Sequence, residues 1–167
     1  VTVSAVETVD QVIVASGGFL NINSGITMTI ANGTGTDLDV TGILINAGTF
    51  TINSSASVVF KNGGKYQHNY TTTAGTIPTA TWSTGSTCEI IGYTSNNTAP
   101  SGMQTFYNFT WNCPAQTQDI DLGNGLSTVN GNLTIVNTGA ANYLLLSNGS
   151  VTLTIGGDFI QTGGNFE

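Results

Sequence analysis

The segment Gly18-Phe-Leu-Asn-Ile-Asn-Ser-Gly-Ile-Thr-Met-Thr-Ile-Ala-Asn-Gly33 recurs thirty residues later as Gly48-Thr-Phe-Thr-Ile-Asn-Ser-Ser-Ala-Ser-Val-Val-Phe-Lys-Asn-Gly63. Gly, Ile, Asn, Ser and the closing Asn-Gly recur in place, and large apolar residues are exchanged only for other apolar residues, as Leu20 is for Phe50. A unit of this length that cannot close its own core indicates stacked repeats. The sequence therefore predicts a solenoid.

The composition around this repeat favours strands and turns almost throughout. Hydrophobic residues make up 39% of the 167 residues, which is enough for a core, whereas charged residues make up only 7%. Thr, Val, Ile and aromatic residues are frequent, and Gly and Asn separate them. Because β-branched and aromatic residues favour strands and Gly and Asn favour turns, we expect an all-β chain.

The charge balance argues against two classes of partner. Lys61 and Lys65 are the only basic residues, and the formal net charge is -7. Binding to nucleic acid needs many basic side chains, and so does binding to an anionic membrane surface. No apolar run approaches the length of about 18 residues that a spanning helix needs. We therefore expect no nucleic-acid partner and no membrane insertion.

Apolar residues in each unit fall into three short clusters: Val12 to Ala15, Leu20 with Ile22, and Ile26 to Ile30. Within the third cluster they alternate with Thr27 and Thr29, so one face is apolar and the other polar. The pattern predicts a right-handed parallel β-helix (a β-solenoid) with three short strands per coil and about six coils of roughly 26 to 30 residues. Repeats of a β-sandwich are the alternative, since short strands with Gly and Asn turns also suit sandwiches.

The whole chain, residues 1–167, is expected to be one solenoid segment. Regular repeats cover residues 10–69, loop-rich coils residues 70–121 and shorter coils residues 122–167, where Val129 to Ile135 aligns with Ile155 to Gln161. The closing residues Gly163 to Glu167 resemble the start of another unit. We therefore expect the segment to belong to a longer chain.

Three segments carry a resemblance to known proteins: Thr105-Phe-Tyr-Asn-Phe-Thr-Trp-Asn112, Gly131-Asn-Leu-Thr-Ile135 and Gly157-Asp-Phe-Ile-Gln-Thr-Gly-Gly164. Their residue pattern resembles the repeated segments of very large surface proteins that Bacteroidetes export through the type IX secretion system. Those proteins include adhesins, some of them implicated in gliding motility. The resemblance implies an extracellular or cell-surface location and a structural or adhesive role.

The two cysteines and the single histidine are the first candidates for a site. Cys88 and Cys113 are separated in sequence by close to one coil and occupy inferred inward positions. They are either a disulfide between neighbouring coils or two buried free thiols. They do not make a zinc site with one distant histidine. His68 has no marked nucleophile or acid beside it, so we expect a turn or surface histidine.

Two Asp-x-Asp pairs are weak candidates for calcium or for acid catalysis on a polysaccharide. Asp37 and Asp39, and likewise Asp119 and Asp121, flank an apolar residue and are expected on one face. Calcium needs six to eight oxygen ligands and glycoside hydrolysis needs acids at a defined separation. Neither pair has further acids beside it, so we favour a solvated outer face.

Threonine pairs and tryptophans could form binding surfaces. Thr27 and Thr29 match the Thr-x-Thr ladders of ice-binding solenoids, but the thirty-residue alignment places them opposite Ser57 and Val59. This register argues against an ice-binding face. Trp82 lies in a polar stretch and is the better candidate for stacking on a sugar, whereas Trp111 alternates with core positions.

The sequence thus favours a structural or adhesive segment of a secreted or cell-surface filament or adhesin, with no catalysis and no cofactor. Its expected partners are further copies or coils of the same chain, or a surface polysaccharide. The alternatives are a β-helical carbohydrate-active enzyme or carbohydrate-binding module and, third, an ice-binding solenoid.

Overall fold

Alternating apolar and polar residues turn one side of most strands into a shared core. The computed structural model describes residues 1–167, which form twenty short strands and no helix. The strands are β1 Thr2–Val3, β2 Glu7–Val9, β3 Val12–Val14, β4 Phe19–Ile22, β5 Thr27–Ile30, β6 Leu38–Val40, β7 Ile43–Asn46, β8 Thr49–Ile52, β9 Val58–Phe60, β10 Lys65–His68, β11 Thr81–Trp82, β12 Thr87–Ile90, β13 Asn108–Asn112, β14 Ile120–Asp121, β15 Thr128–Val129, β16 Leu133–Asn137, β17 Tyr143–Leu145, β18 Thr154–Ile155, β19 Phe159–Gln161 and β20 Asn165–Phe166.

The strands lie on three faces that the chain visits in turn. Face 1 is an uninterrupted sheet of eight strands in the order β1-β4-β7-β10-β12-β13-β16-β19. Face 2 contains β2-β5-β8 and, after a break, β14-β17-β20. Face 3 contains β3-β6-β9-β11 and then β15-β18. Every strand pair is parallel, so the chain is a parallel β-helix and the β-sandwich alternative, which needs antiparallel sheets, is wrong.

The solenoid has more and shorter coils than the sequence repeat predicts. Face 1 holds eight strands, one for each coil, instead of the expected six. Thr2 pairs with Asn21 at the start of the chain and Leu133 pairs with Phe159 near its end. Coil length on face 1 therefore varies, and every coil is shorter than the thirty-residue repeat. The alignment predicted for the end of the chain is confirmed by the pairing of Val129 with Ile155.

The thirty-residue repeat is a repeat of one side of the coil and not of the whole coil. It superposes β4 of face 1 on β8 of face 2, and β5 of face 2 on β9 of face 3. In the structure β5 instead pairs with β8, which places Thr27 beside Thr49. Each side of a coil consists of a short strand and a corner. A shift of thirty residues equals one coil plus one side, so it moves a residue to the next coil and also to the next face.

The core is a single cluster of 28 buried hydrophobic residues that runs the length of the solenoid. One inward column of face 1 consists of Leu20, Leu44, Tyr66, Cys88, Phe109 and Leu133, each beside the next. Aromatic residues fill its middle: the rings of Trp82 and Phe106 meet edge to face at 5.1 Å. Burial of such side chains stabilises by about 1.5 to 3 kcal/mol each, so stacking coils supplies the stability that one coil lacks.

Tight turns at the corners between faces need a left-handed residue. In the turn from Asn23 to Ile26 the N–H of Ile26 donates to the Asn23 carbonyl at 3.1 Å, and Gly25 has φ +76°. The related turn from Asn53 to Ala56 has the same bond at 3.0 Å, but its left-handed position, φ +70°, holds Ser55. A residue with a Cβ is strained in this conformation by about 1 to 2 kcal/mol.

Replacing Ser55 by glycine removes that strain, so Ser55→Gly is expected to raise the free energy of unfolding by about 0.5 to 1 kcal/mol, net of the backbone entropy of glycine. Urea unfolding followed by circular dichroism measures the change. Ser54→Gly is the matched control: Ser54 has no positive φ, and the variant is expected to lose stability. Equal effects of the two substitutions would contradict the strain at Ser55.

Candidate functional site

The first acidic pair is part of the contact between coils. Asp37 is buried, contrary to the solvated face expected of it, and accepts hydrogen bonds from the N–H of Ser57 at 2.6 Å and of Gly33 at 2.7 Å. These bonds lower the pKa of Asp37 below its ordinary value, the one from Ser57 contributing most. Asp39 points outward and forms an ion pair with Lys61. Both carboxylates therefore have partners within the protein.

The second acidic pair lies on face 2, in another part of the solenoid. Asp119 accepts a hydrogen bond from the N–H of Tyr143 at 2.8 Å. Asp121 accepts one from the N–H of Gly123 at 2.8 Å and another from the Asn148 side chain. The two pairs thus stand on different faces, and no group of three or more His, Cys, Asp or Glu side chains is placed to hold a metal ion.

The two cysteines are free buried thiols, which is the second of the two arrangements considered for them. The coil at this point is shorter than the sequence separation of the two cysteines, so Cys88 lies beside Phe109. Cys113 lies beyond that strand, where its Sγ donates to the Ile90 carbonyl at 3.5 Å. Burial raises the pKa of Cys113 to about 12 and that of Cys88 well above its usual value. Neither thiol is activated as a nucleophile.

The expectation that Trp82 is a surface platform for sugars is wrong. Its side chain is only 9% exposed and stacks on Phe60, with ring centroids 4.4 Å apart and planes 5° from parallel. The polar neighbours of Trp82 in sequence face outward on β11 while the indole faces inward, which composition alone does not reveal. Trp111 is buried as predicted, and its Nε1 donates to Oε1 of Gln116 at 2.9 Å.

The expectation that His68 is a turn or surface residue is also wrong. His68 is fully buried in a polar cluster that we call the tyrosine–histidine cluster, formed by Asn46, Tyr66, His68, Tyr70 and Tyr93. Nε2 of His68 lies 2.8 Å from the Ala74 carbonyl, and Nδ1 lies 3.2 Å from the Tyr66 hydroxyl. The carbonyl is only an acceptor, so Nε2 carries the proton and Nδ1 accepts from the hydroxyl.

The tyrosine–histidine cluster attaches the loop after β10 to the core. The hydroxyl of Tyr93 donates to the Ala74 carbonyl at 2.5 Å, and the Tyr70 hydroxyl donates to the Gly48 carbonyl. Desolvation lowers the pKa of His68 from 6.5 to about 4, although its bond to Ala74 opposes the shift. The histidine is therefore neutral at pH 7, and its hydrogen bonds join the loop to the core.

Threonines on face 2 stack in a register that the sequence alignment missed. Thr27 lies beside Thr49, and Thr29 lies between Thr8 and Thr51. The predicted mismatch of these threonines is wrong because it used the thirty-residue spacing. Threonines at corners elsewhere donate to the carbonyl of the preceding coil, but none of the five hydroxyls on face 2 has a partner in the protein. They form an array of free hydroxyls on the outer surface, which we call the threonine array.

The coil at the start of the chain leaves an apolar surface uncovered. Strands β1, β2 and β3 each pair on one side only. A groove of about 560 Å³ lies against them, lined mainly by hydrophobic residues. Val1, Ile13 and Phe19 are 89%, 78% and 55% exposed there. Unpaired strands beside exposed apolar side chains are a template for further strands.

The fold defines the class: the protein is a β-solenoid, one parallel β-helix of eight coils. Comparisons with known protein families, with curated proteins and with solved structures found no match. The structure has no helix that could span a membrane.

The buried neutral histidine makes stability depend on pH. In the unfolded chain His68 binds a proton below about pH 6.5, whereas in the folded chain it does so only near pH 4. Its contribution is complete above pH 6.5 and is lost as the pH falls towards 4, by about 3 kcal/mol in all. We expect the free energy of unfolding to fall through this window, measured by urea unfolding at each pH.

A His68→Gln variant is the control for this loss. Glutamine has no proton to gain, so between pH 6.5 and 4.5 its stability is expected to vary much less than that of the unchanged protein. The two proteins have the same carboxylates, so the difference between their pH profiles reports His68. Parallel pH profiles for the two proteins would contradict the buried neutral histidine.

Proposed function

We propose that the chain is a structural or adhesive segment of a secreted or cell-surface filament or adhesin, and that it catalyses no reaction. The observation that carries the proposal is the unbroken eight-strand ladder of face 1. With a strand spacing of about 4.8 Å, eight coils make a rod on the order of 35 to 40 Å long. Such a repeat supplies extent and surface, and each added coil lengthens the rod by the same step.

The basic side chains and the Asp-x-Asp pairs support a non-catalytic role, because they are engaged with partners in the protein. Its two lysines form ion pairs, Lys61 with Asp39 and Lys65 with Glu89, the latter at 2.9 Å. The carboxylates of the two Asp-x-Asp pairs are separated and engaged in hydrogen bonds. A polysaccharide-cleaving site on a β-helix would instead require acids grouped at a defined separation.

Self-association or continuation of the same chain is the partner that we propose first. The open edges of β1, β2 and β3 and the apolar groove beside them offer backbone and side-chain contacts to a further coil. At the opposite end, β18, β19 and β20 also pair on one side only. The two ends thus present the same kind of ladder, which suits stacking in one direction. Contact with a surface polysaccharide is a second proposed partner of the rod.

An extracellular place is supported by the resemblance of Thr105–Asn112, Gly131–Ile135 and Gly157–Gly164 to exported surface proteins. Immunogold labelling of intact cells of the encoding organism, with antibodies raised against residues 1–167, tests it. We expect label on filaments or on the cell surface, and none on cells from which the gene is deleted. Label that appears only after permeabilisation would contradict the proposal.

Ice binding is the second candidate function, because the observed register favours it. The threonine array has two outward columns, with hydroxyls about 4.8 Å apart between strands and about 6.6 Å apart along them. Val6 precedes Thr8 by two residues and is exposed, so a β-branched side chain completes the three-by-two pattern. A flat, regular set of hydroxyl and methyl groups can order water on its surface.

A thermal-hysteresis measurement on the purified chain tests this second function. The chain is expected to lower the freezing point below the melting point, and Thr29→Lys at the centre of the array is expected to remove most of the effect. Thr134→Lys is the matched control: Thr134 is an equally half-buried threonine on face 1, between Thr110 and Ile160. No hysteresis, or equal losses in the two variants, would contradict ice binding.

A further inference from the structure

The ladder of face 2 is interrupted in the middle of the molecule. On faces 1 and 3 the next coil continues directly, from β7 to β10 and from β9 to β11. On face 2, β8 pairs only with β5. The next segment of face 2 turns instead to the coil beyond, where Thr76 bridges to Ser101 and the Ile77 N–H donates to the Ser101 carbonyl at 2.9 Å. One edge of β8 is therefore left open between two coils.

The open edge of β8 presents unused backbone groups. The N–H of Thr49 donates to the Ile26 carbonyl at 2.8 Å, and that of Asn53 donates to the Ile30 carbonyl at 2.9 Å. Backbone groups alternate in direction along a strand, so those of Phe50 and Ile52 point away from β5. Neither residue has a backbone hydrogen bond on that side. Two donors and two acceptors, repeated at about 6.6 Å, form a template for another strand.

A groove of about 400 Å³, lined by both apolar and uncharged polar residues, follows this edge. Phe50, Ile52 and Ala56 lie on the β8 side, and Ile77 and Pro78 lie on the opposite wall. None of the residues that line the groove is charged. Its volume is within the range of ligand sites and suits two or three small side chains. Towards the start of β8 the groove is closed, because the Tyr70 hydroxyl donates a hydrogen bond to the Gly48 carbonyl.

We propose that this groove binds an extended, uncharged polypeptide segment with apolar residues at alternate positions, which adds as a strand to β8. Unpaired N–H and C=O groups in alternation are satisfied best by another peptide backbone, which supplies the complementary groups at the same spacing. The apolar side chains of the lining, chiefly Phe50, Ile52 and Ile77, receive every second side chain of the added strand, and the absence of charged lining residues disfavours ionised ones. Binding of such a segment does not depend on whether the protein lies inside or outside the cell.

A capped heptapeptide of alternating valine and threonine is the probe. Titrated into the ¹⁵N-labelled chain, it is expected to give saturable shifts at the Phe50 and Ile52 amides and to slow their hydrogen exchange. The same peptide, N-methylated on the residues that pair, is expected to bind at least about tenfold more weakly, because it loses its backbone donors. Shifts that do not saturate, or that are equal for both peptides, would overturn the proposal.

Two variants separate backbone pairing from apolar contact. Ile52→Pro removes a donor that faces the groove and is tolerated on an open edge, so it is expected to weaken binding at least about tenfold. Ile52→Val keeps the donor and is expected to keep binding. Ser54→Pro, at the first central position of the turn from Asn53 to Ala56, changes a residue that does not line the groove; it is the control for proline itself and is expected to bind normally.

The N-methylated probe decides the matter even if Ile52→Pro does not fold. Tight binding by a folded Ile52→Pro variant would overturn strand addition. The other possible occupant is a second copy of the chain, and hydrogen exchange of the free chain at rising protein concentration tests for it. Protection of the Phe50 and Ile52 amides that grows with concentration, without peptide, would show that a second copy fills the groove and would overturn the assignment to a separate segment.

Discussion

The backbone ladder of face 1 is the constraint on which the rest of the structure depends. It joins all eight coils, with one register shift between Trp111 and Asn112, and it fixes which side chain lies above which. The core column from Leu20 to Leu133 follows from it, and so does the threonine array on face 2. Because side chains alternate between core and solvent, a slip of one residue would exchange the two sides of a strand.

The sequence was sufficient for the fold class but not for the register. Period-two alternation and Gly–Asn corners are local signals, and they identified strands such as β4 and β5 correctly. Which strand stacks on which is a long-range property. The sides of a coil resemble one another, so the similarity of Gly18–Gly33 to Gly48–Gly63 arises between sides that do not stack. The coil number, the thirty-residue coil length and the position of the threonines were all wrong for this one reason.

Single residues depart from the sequence-based expectation where the composition around them and their position on a strand disagree. Trp82 and His68 stand among polar neighbours in sequence, yet strand alternation turns both into the core. His68 lies beside Asn46 in the ladder. The two polar side chains are satisfied by the Tyr66 hydroxyl of β10 and by the Tyr70 hydroxyl and Ala74 carbonyl of the loop after β10. The same loop leaves the path of a regular coil, which opens the edge of β8. A buried polar cluster and an exposed strand edge thus arise from one departure from the repeat.

The register is tested most directly by a disulfide between neighbouring coils. Thr29 and Thr51 are outward-facing partners on face 2, and strands about 4.8 Å apart bring such Cα atoms within disulfide range. In the Thr29→Cys/Thr51→Cys variant we predict a complete cross-link on mild oxidation, detected by mass spectrometry, and none in Thr29→Cys/Val59→Cys. A cross-link in the second pair and not in the first would show that the coils stack at thirty residues and would contradict the structure.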